Sequence, residues 1–185
     1  GLAMPNLGDV DAQTVAGAIQ TGTHGTGAGF GGLASFVSGL TLVRADGSVV
    51  SCVRGEPLFD AAVVGLGAFG VLTSVTLECV PAFVLRAEER PSTLPDVLSG
   101  LESSVASNDH FEFYWFPYTA LVQTKRNNRV EVSDRPLPRW RGWLDDSFLS
   151  NTVFGAGCRV ARRVPRVTRP FMRMSARALS PRTYT

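Results

Sequence analysis

The sequence has few residues of the kinds that build metal sites or disulfide frameworks. It contains three cysteines and two histidines in 185 residues, and Cys52, Cys79 and Cys158 lie far apart. An odd number of widely spaced cysteines does not make a disulfide framework. A zinc site is disfavoured as well, because only His24 and His110 are available to complete a set of such scattered cysteines. We therefore expect inert, buried thiols and no metal.

Long apolar runs are absent as well. No window approaches the roughly 18 uninterrupted apolar residues of a membrane-spanning helix, and the first residues lack the basic-then-apolar pattern of a secretory signal. With 44% apolar residues, the chain can still bury a core. These features predict a globular cytoplasmic protein of one domain, or of one domain plus part of another.

Acidic residues are missing from the last part of the chain. Residues 1–146 hold all 16 acidic residues and 10 basic ones, a net charge of −6, whereas residues 147–185 have eight arginines and no acid. This basic block is compatible with a solvated surface, with peripheral membrane association or, least favoured, with nucleic-acid binding. Pro165 and Pro170 interrupt a continuous helix, and no set of aromatic stacking residues accompanies the charges. We therefore expect no nucleic-acid partner. The arginines are Arg159, Arg162, Arg163, Arg166, Arg169, Arg173, Arg177 and Arg182.

The most informative segment present is rich in glycine and threonine. Residues 21–27 read Thr-Gly-Thr-His-Gly-Thr-Gly and follow an apolar turn at 15–19. Nine glycines among the first 32 residues predict an ordered loop rather than a regular helix. Such a loop presents backbone N–H groups and hydroxyls to a phosphate or pyrophosphate, which indicates a nucleotide cofactor. The glycine spacing differs from Gly-x-Gly-x-x-Gly and follows no strand, so a Rossmann fold is disfavoured.

The order of the remaining elements predicts an α+β fold. The predicted elements are a hairpin of strands at 40–44 and 48–53, a helix starting at Pro57, a strand over 70–80, a helix over 94–105, an aromatic strand over 110–116 and mostly helical structure over 148–179. The strand over 70–80 is expected to place Val71, Thr73, Val75, Leu77 and Cys79 on one face. The aromatic strand is expected to pack in a core or between domains, with Glu112 or Tyr114 available to a substrate.

Three motifs occur in one order along the chain. They are the loop over 21–27, the segment Gly-Leu-Gly-Ala-Phe-Gly-Val-Leu-Thr at 65–73 and the segment Asn-Asp-His-Phe-Glu-Phe-Tyr-Trp-Phe-Pro at 108–117. Together they resemble the aldonolactone oxidase branch of the vanillyl-alcohol-oxidase-type, or PCMH-type, flavoproteins. The resemblance is strongest to D-arabinono-1,4-lactone and L-gulono-1,4-lactone oxidases, and it covers nearly all of the chain.

The resemblance implies two domains, one that binds the cofactor and one that shapes the substrate site. Residues 1–82 would be the C-terminal portion of an FAD-binding domain, and residues 83–185 the N-terminal portion of a cap domain that shapes the substrate site. It implies FAD as cofactor, hydride transfer from a sugar lactone to flavin N5, and reoxidation by O2 or another acceptor. An alditol oxidase acting on a polyol is the alternative within the same superfamily, and a basic binding module or an inert scaffold is the alternative outside it.

The resemblance also implies which residues line the cofactor. These are Ala18, Thr21, Gly22, Thr23, His24, Gly25, Thr26, Gly27, Phe30, Gly31, Gly32, Gly67, Gly70, Val71 and Leu72. Ala18 stands where related alditol oxidases have a serine, and Tyr118 where a histidine is common. His24 is expected either to donate to the cofactor or to tie the loop to a carbonyl.

No catalytic residue is expected within the chain. The resemblance places a Gly-His-Ser flavin-attachment motif before Gly1, and a Glu-x-Arg pair and a His-Trp-Gly-Lys-like segment that hold the sugar after Thr185. The chain is therefore expected to be an internal piece of a longer oxidase and to lack activity on its own.

Overall fold

A computed structural model describes residues 1–10, 12–142 and 152–185. The chain forms two compact units, Gly1–Ala82 and Phe83–Thr185. In the described part of the chain, neighbouring strands in every sheet are antiparallel. The predicted α+β class is confirmed. The assignment of the two units as portions of an FAD-binding domain and a cap domain stays a prediction.

The first unit is built around a small antiparallel sheet. Its elements are strand β1 (Leu2–Ala3), helix α1 (Val15–Gln20), a 3-10 turn (Leu33–Phe36), strands β2 (Val37–Val43) and β3 (Val49–Val53), helix α2 (Pro57–Ala62), and strands β4 (Val71–Leu77) and β5 (Val80–Pro81). The three-stranded sheet has the order β3-β2-β4, and β1 pairs with β5.

The core of this unit lies against β2, the central strand of the sheet. Val37 and Leu42 are fully buried, and Ile19 of α1 and Phe59 of α2 belong to the same apolar cluster. The predicted hairpin between β2 and β3 is confirmed. Its turn has Gly47 at φ +80°, a left-handed conformation that glycine adopts without a steric penalty.

The amino-terminal region contains a short helix that the glycine content argued against. Helix α1 begins after Thr14, whose hydroxyl accepts a hydrogen bond from the Gly17 N–H at 3.1 Å. This N-cap and the burial of Ala18 and Ile19 in the core stabilise the helix in spite of Gly17. The predicted apolar turn at 15–19 is therefore a helix.

Strand β4 is confirmed, but the predicted alternation along it is wrong at its start. Thr41 of β2 faces Ser74, and the next residue, Leu42, faces Leu72, so Thr73 is an extra residue in the strand. This β-bulge reverses the phase of the side chains. Leu72 consequently packs on the core with Val75, while Val71 is 68% exposed.

The second unit is a four-stranded antiparallel sheet with helices. Its elements are strand β6 (Val84–Thr93), helices α3 (Leu94–Ser99) and α4 (Leu101–Ala106), strands β7 (His110–Trp115) and β8 (Leu121–Val130), helices α5 (Arg139–Gly142) and α6 (Phe154–Arg163), a 3-10 turn (Pro165–Val167), helix α7 (Thr168–Arg177) and strand β9 (Arg182–Tyr184). The strand order is β7-β8-β6-β9.

Several predictions for this unit are confirmed and one is corrected. The aromatic strand is β7, and helices α6 and α7 lie within the predicted helical region, of which residues 148–151 fall outside the described residues. The helix predicted over 94–105 is divided at Gly100 into α3 and α4, as expected where glycine weakens a helix.

The described residues include no helix with the length and apolar character of a membrane span.

Candidate cofactor site

Two glycine-rich corners of the first unit meet at the end of helix α1. The side-chain oxygen of Gln20 accepts a hydrogen bond from the Gly67 N–H at 2.9 Å, and the Gln20 carbonyl accepts one from the Leu66 N–H at 3.3 Å. Gly22 lies against the same region, because a Cβ on it would contact Val64 at 3.6 Å. The structure therefore brings together the two segments that the sequence singled out, residues 21–27 and 65–73.

The hydroxyls of Thr21 and Thr23 bind residues that precede the loop. Thr21 Oγ1 donates to the Gly17 carbonyl at 2.8 Å, and Thr23 Oγ1 donates to Gln13 Oε1 at 3.1 Å. With their protons engaged in this way, the hydroxyls close the loop. The donors that this corner offers to a ligand are then its backbone N–H groups.

Gly25 is required for a close crossing of two chain segments. A Cβ on Gly25 would overlap the Leu7 carbonyl oxygen and lie 2.5 Å from Asn6 Oδ1. Asn6 is buried, and its Nδ2 donates to the Thr26 carbonyl at 3.1 Å. His24 Nδ1 lies 3.0 Å from the Gly25 carbonyl oxygen, so of the two expected roles the structure shows the tie to a carbonyl.

Donors for an anionic ligand remain along this loop. Within the described residues, the backbone N–H groups of His24, Gly25, Gly27, Gly31 and Gly32 have no protein acceptor. Successive backbone N–H groups of this kind form anion-binding concavities. The loop therefore fits the pyrophosphate of a dinucleotide in the number and kind of its donors.

The second corner contains unusual backbone conformations and one close approach to β2. Leu66 and Gly67 are both left-handed, at φ +52° and +78°, and a left-handed non-glycine residue costs on the order of 1 kcal/mol. Gly70, at φ +135°, lies so close to β2 that a Cβ would come 2.5 Å from the Val43 carbonyl oxygen. Such strain is most common at functional sites.

An open groove lies beside the second corner. It is lined by residues 43–45 and 67–71. Phe69 and Val71 are exposed there, and both offer apolar surface. This wall suits an uncharged aromatic ring better than a phosphate, because burying its apolar area against a ring removes that area from water.

The other predicted cofactor residues differ in their surroundings. Ala18 is 6% exposed within the core cluster, and Leu72 packs against that cluster. Phe30 is half-buried. The predicted contacts of these residues with the cofactor, like those of the whole set, stay predictions.

Sequence reasoning missed Asn6 and Gln20. Both are single amides that act through hydrogen bonds to residues 20 and 47 positions away. Neither residue gave a signal in the sequence, because neither periodicity nor spacing reveals a long-range hydrogen bond from an isolated polar residue.

The second unit contains a buried carboxylate that was also missed. Glu89 of β6 is 6% exposed; Arg182 donates to its Oε2 at 3.1 Å through Nε, and Tyr184 donates to its Oε1 at 2.9 Å. Burial acts to raise the pKa of Glu89, but the hydrogen bonds from Arg182 and Tyr184 and the charge of Arg182 outweigh it and hold that pKa below its usual value. Glu89 therefore stays ionised and anchors β9 to the sheet.

Glu112 and Tyr114 lie together on strand β7. The Tyr114 hydroxyl donates to Glu112 Oε2 at 3.0 Å, and Lys125 Nζ lies 3.1 Å from Glu112 Oε1. Tyr114 and Trp115 are exposed, so Trp115 does not pack in the core of this unit, and the packing of the aromatic strand between domains stays a prediction. The availability of Glu112 or Tyr114 to a substrate stays a prediction.

The cysteines form no cluster. Cys52 is buried, and burial raises the pKa of its thiol. Cys79 is exposed, and Cys158 is partly exposed, so the expectation of buried thiols is correct for Cys52 alone. No group of residues suited to a metal ion occurs in the described part of the chain.

Known proteins resemble this chain both in sequence and in structure. The sequence model of the D-arabinono-1,4-lactone oxidase family matches residues 75–185. L-gulono-1,4-lactone dehydrogenase of Mycobacterium tuberculosis is 37% identical over 98% of this chain and 42% of its own length. L-gulonolactone oxidase of Mus musculus is 47% identical over 89% of this chain and 46% of its own length. The chain thus spans less than half the length of these relatives.

The fold is also shared with a solved structure. The crystal structure of cholesterol oxidase from B. sterolicum matches with a TM-score of 0.74 at 20% identity, over 95% of this chain and 37% of that one. The sequence matches confirm the resemblance drawn from the motifs, and the structural match agrees with the α+β fold.

Proposed function

Because the chain belongs to the D-arabinono-1,4-lactone oxidase family, we propose that the protein is an FAD-dependent oxidase of sugar 1,4-lactones. The family is one of FAD-dependent flavoproteins. The relatives are named for the oxidation or dehydrogenation of sugar lactones. We assign O2 as the electron acceptor, as in the relatives named oxidases.

A cytoplasmic location is proposed as well, because Cys52, Cys79 and Cys158 are free, as is usual in a reducing compartment.

The observation that carries the proposal is the meeting of the two glycine-rich corners at Gln20. One corner offers the backbone N–H groups of His24, Gly25, Gly27, Gly31 and Gly32, which have no acceptor among the described residues. The other corner offers exposed apolar surface at Phe69 and Val71. A dinucleotide with an apolar ring needs both kinds of surface side by side. When bound, FAD supplies an acceptor for the hydride that leaves the substrate.

The roles of the individual residues follow from this geometry. The backbone N–H groups of His24, Gly25, Gly27, Gly31 and Gly32 would bind phosphate oxygens. Phe69 and Val71 would form an apolar wall that excludes water from one side of the ring, and Leu72, which packs on the core cluster, would support that wall from the other face of β4. Gln20 would hold the two corners at a fixed distance. These residues bind and orient the cofactor, and none of them moves a proton.

The test is the purification of the whole protein that contains this chain, followed by flavin and activity measurements. We expect a flavin absorption spectrum, release of FAD on denaturation, and O2 consumption with D-arabinono-1,4-lactone or L-gulono-1,4-lactone. Flavin with turnover of alditols and not of lactones would favour the alditol oxidase alternative. A folded protein that neither contains nor takes up FAD would contradict the proposal.

A matched pair of variants tests the site itself. Gly25→Ala would push the loop away from Leu7 and Asn6, so we expect loss of bound FAD. Gly29→Ala places its Cβ in open space in the same loop, so it should retain FAD. Retention of FAD by both variants would argue against the loop as a cofactor site.

A further inference from the structure

One face of the four-stranded sheet carries a row of alternating charges. Glu112 of β7 is opposite Lys125 of β8 in the register of the sheet. Lys125 is also opposite Glu89 of β6, which in turn is opposite Arg182 of β9. Side chains that are directly opposite each other in an antiparallel pair lie on the same face. These four side chains therefore form one line across the four strands, which we call the charged row.

The charged row is largely shielded from water. The Glu112 side chain is 11% exposed and that of Lys125 is 23% exposed, and Lys125 Nζ lies 3.1 Å from Glu112 Oε1. A polar sheet face that merely meets solvent would leave such charges accessible. Burying charges costs free energy unless ion pairs and hydrogen bonds compensate it. Charged groups in such surroundings are concentrated at functional sites.

Polar groups adjoin the charged row on the same face. Tyr114 and Gln123 are opposite each other, two residues along their strands from Glu112 and Lys125. Tyr114 is half-exposed, and its hydroxyl donates to Glu112 Oε2 at 3.0 Å. Gln123 is buried; its Nε2 donates to the Ser180 carbonyl at 3.3 Å, but its Oε1 has no hydrogen-bond partner within the part of the chain that the structure describes. A buried oxygen of this kind is rare, and a hydroxyl donor would satisfy it.

The charged row has no net charge, because its two carboxylates match its two cations. Arg129 lies on the same face, but it is four residues from Lys125 along β8, and its guanidinium lies over the Phe83 ring at 4.0 Å. An anion placed on the charged row would lose its hydration without meeting an excess of positive charge. A neutral ligand with many hydroxyl groups would not suffer this penalty.

Glu112 and Lys125 can bind such a ligand while they bind each other. An ionised carboxylate has about four acceptor sites, and a lysine ammonium has three donors. Ring hydroxyls can therefore donate to Glu112, and Lys125 can donate to ring or carbonyl oxygens. The exposed Tyr114 ring adds apolar surface for the C–H groups of a sugar ring.

We propose that the charged row, with Tyr114 and Gln123, binds the neutral, hydroxyl-rich lactone ring and rejects the aldonate anion. The aldonate forms when water adds to the lactone carbonyl, the ring C–O bond breaks and the resulting acid loses a proton. This inference rests on the proposed function, since it names side chains of this chain that bind and orient the lactone. Glu112 and Lys125 are thus specificity-determining residues for the charge of the ligand.

A purely structural role explains Glu112 and Lys125 less well. Strands β7 and β8 already pair over six consecutive residues, from His110 to Trp115, so an ion pair between them is not needed to fix the register. A structural ion pair would change stability when it is removed. A binding role makes a different demand, because the effect of a substitution must then depend on the charge of the ligand.

The experiment is titration calorimetry with the whole protein that contains this chain. The flavin is kept reduced and O2 is excluded, so that the lactone binds without being oxidised. Wild-type protein should bind L-gulono-1,4-lactone more tightly than L-gulonate. Glu112→Gln gives the row a charge of +1, and we expect the Kd of the lactone to rise about tenfold and the Kd of the aldonate to fall about fivefold.

The opposite change of charge should have the opposite effect on the anion. Lys125→Met gives the row a charge of −1, and we expect it to weaken lactone binding about tenfold and to abolish aldonate binding. The double variant Glu112→Gln, Lys125→Met restores a net charge of zero, so its Kd for the aldonate should return to that of the wild type. Its lactone binding should remain weak.

Glu88→Gln is the matched control. It removes the same charge one residue from Glu89, on the opposite face of β6, where Glu88 pairs with Arg90. Both dissociation constants should equal those of the wild type. Tyr114→Ala changes an exposed position, so the variant should fold normally and bind the lactone several-fold more weakly.

Four outcomes would overturn the proposal. They are wild-type protein that does not prefer the lactone, an unchanged or weaker affinity of Glu112→Gln for the aldonate, the same shifts in Glu88→Gln, and unchanged lactone binding by Tyr114→Ala. All of these constants are measured without turnover. Failure of the oxidase function is read separately, from flavin content and O2 consumption.

Discussion

The side-chain oxygen of Gln20 accepts a hydrogen bond from the backbone N–H of Gly67, 47 residues further along the chain, at 2.9 Å. The same residue accepts a hydrogen bond from Leu66 through its backbone carbonyl. Gln20 therefore holds two consecutive left-handed residues in place. It compensates part of the strain of the second corner and fixes its distance from the loop that follows α1.

Replacement of Gln20 tests this tether. Gln20→Ala removes the acceptor for Gly67, and we expect a loss of about 1 kcal/mol in the free energy of unfolding together with weaker FAD binding. Urea unfolding and the dissociation constant for FAD are the measurements. Gln20→Glu keeps an acceptor oxygen and should restore most of the stability. An equal loss of stability in both variants would show that the side-chain oxygen of residue 20 does not stabilise the second corner.

Gly25 and Gly29 form a matched pair for stability. Gly25→Ala forces its Cβ into the Leu7 carbonyl oxygen and Asn6, so it should destabilise the first unit by about 1–3 kcal/mol. Gly29→Ala meets nothing within 4 Å and should change stability by less than about 0.5 kcal/mol. Thermal unfolding monitored by circular dichroism compares them. Similar melting temperatures would mean that the chain crossing at Gly25 is not tightly packed.

Glu89 should make the second unit sensitive to acid. Because the folded state lowers the pKa of Glu89, its contribution to stability is fully present above the usual value of 4.5 and is lost as the pH falls from there through the lowered pKa. Unfolding by urea at a series of pH values measures this loss. Stability that stays constant across the acidic range would contradict the assignment.

The variant Glu89→Gln provides the comparison for the acid dependence. It leaves Arg182 without its carboxylate partner. Because the Arg182 side chain is 26% exposed, we expect the free energy of unfolding to fall by about 3 kcal/mol at neutral pH, the low end of the range for breaking a buried ion pair. The acid dependence attributed to Glu89 should be absent from this variant. If its pH profile matches that of the wild type, other carboxylates are responsible.

Replacing each of two glycines of α6 by alanine should change the stability of the protein in opposite directions. Gly157→Ala would overlap the Phe171 ring and separate α6 from α7, at a cost of about 1–3 kcal/mol. Gly155→Ala meets nothing within 4 Å and should stabilise the helix by about 0.5–1 kcal/mol, since alanine is the better helix former. Thermal unfolding of the two variants measures the difference. A stabilising Gly157→Ala would show that the helices do not pack through this position.

The sequence predicted those elements whose signals are local. The hairpin around Gly47, the helix at Pro57 and the aromatic strand β7 each have a turn residue, a cap or a dense apolar pattern, and all three are present. Strands β6 and β8 were missed over ten residues each. Their charged and amide side chains do not alternate with apolar ones, and pairing with a distant strand stabilises them.

The candidate site was predictable in part. The two glycine-rich corners were identified as one site, and the structure places them side by side. The way in which they are held together was not predictable, because Gln20 and Asn6 act over long sequence separations and are ordinary polar residues in the sequence. The internal use of the Thr21 and Thr23 hydroxyls likewise depends on the folded loop.

The extra residue at Thr73 affects how the groove beside the second corner can differ between related proteins. Because Thr73 has no counterpart on β2, losing or gaining one codon there would turn Val71 inward and Leu72 outward without altering either amino acid. The composition of the groove wall is thus governed by chain length at one position. If a related protein lacks the extra residue, an alignment without a gap at Thr73 would match residues that face the core in one protein with residues that face the solvent in the other.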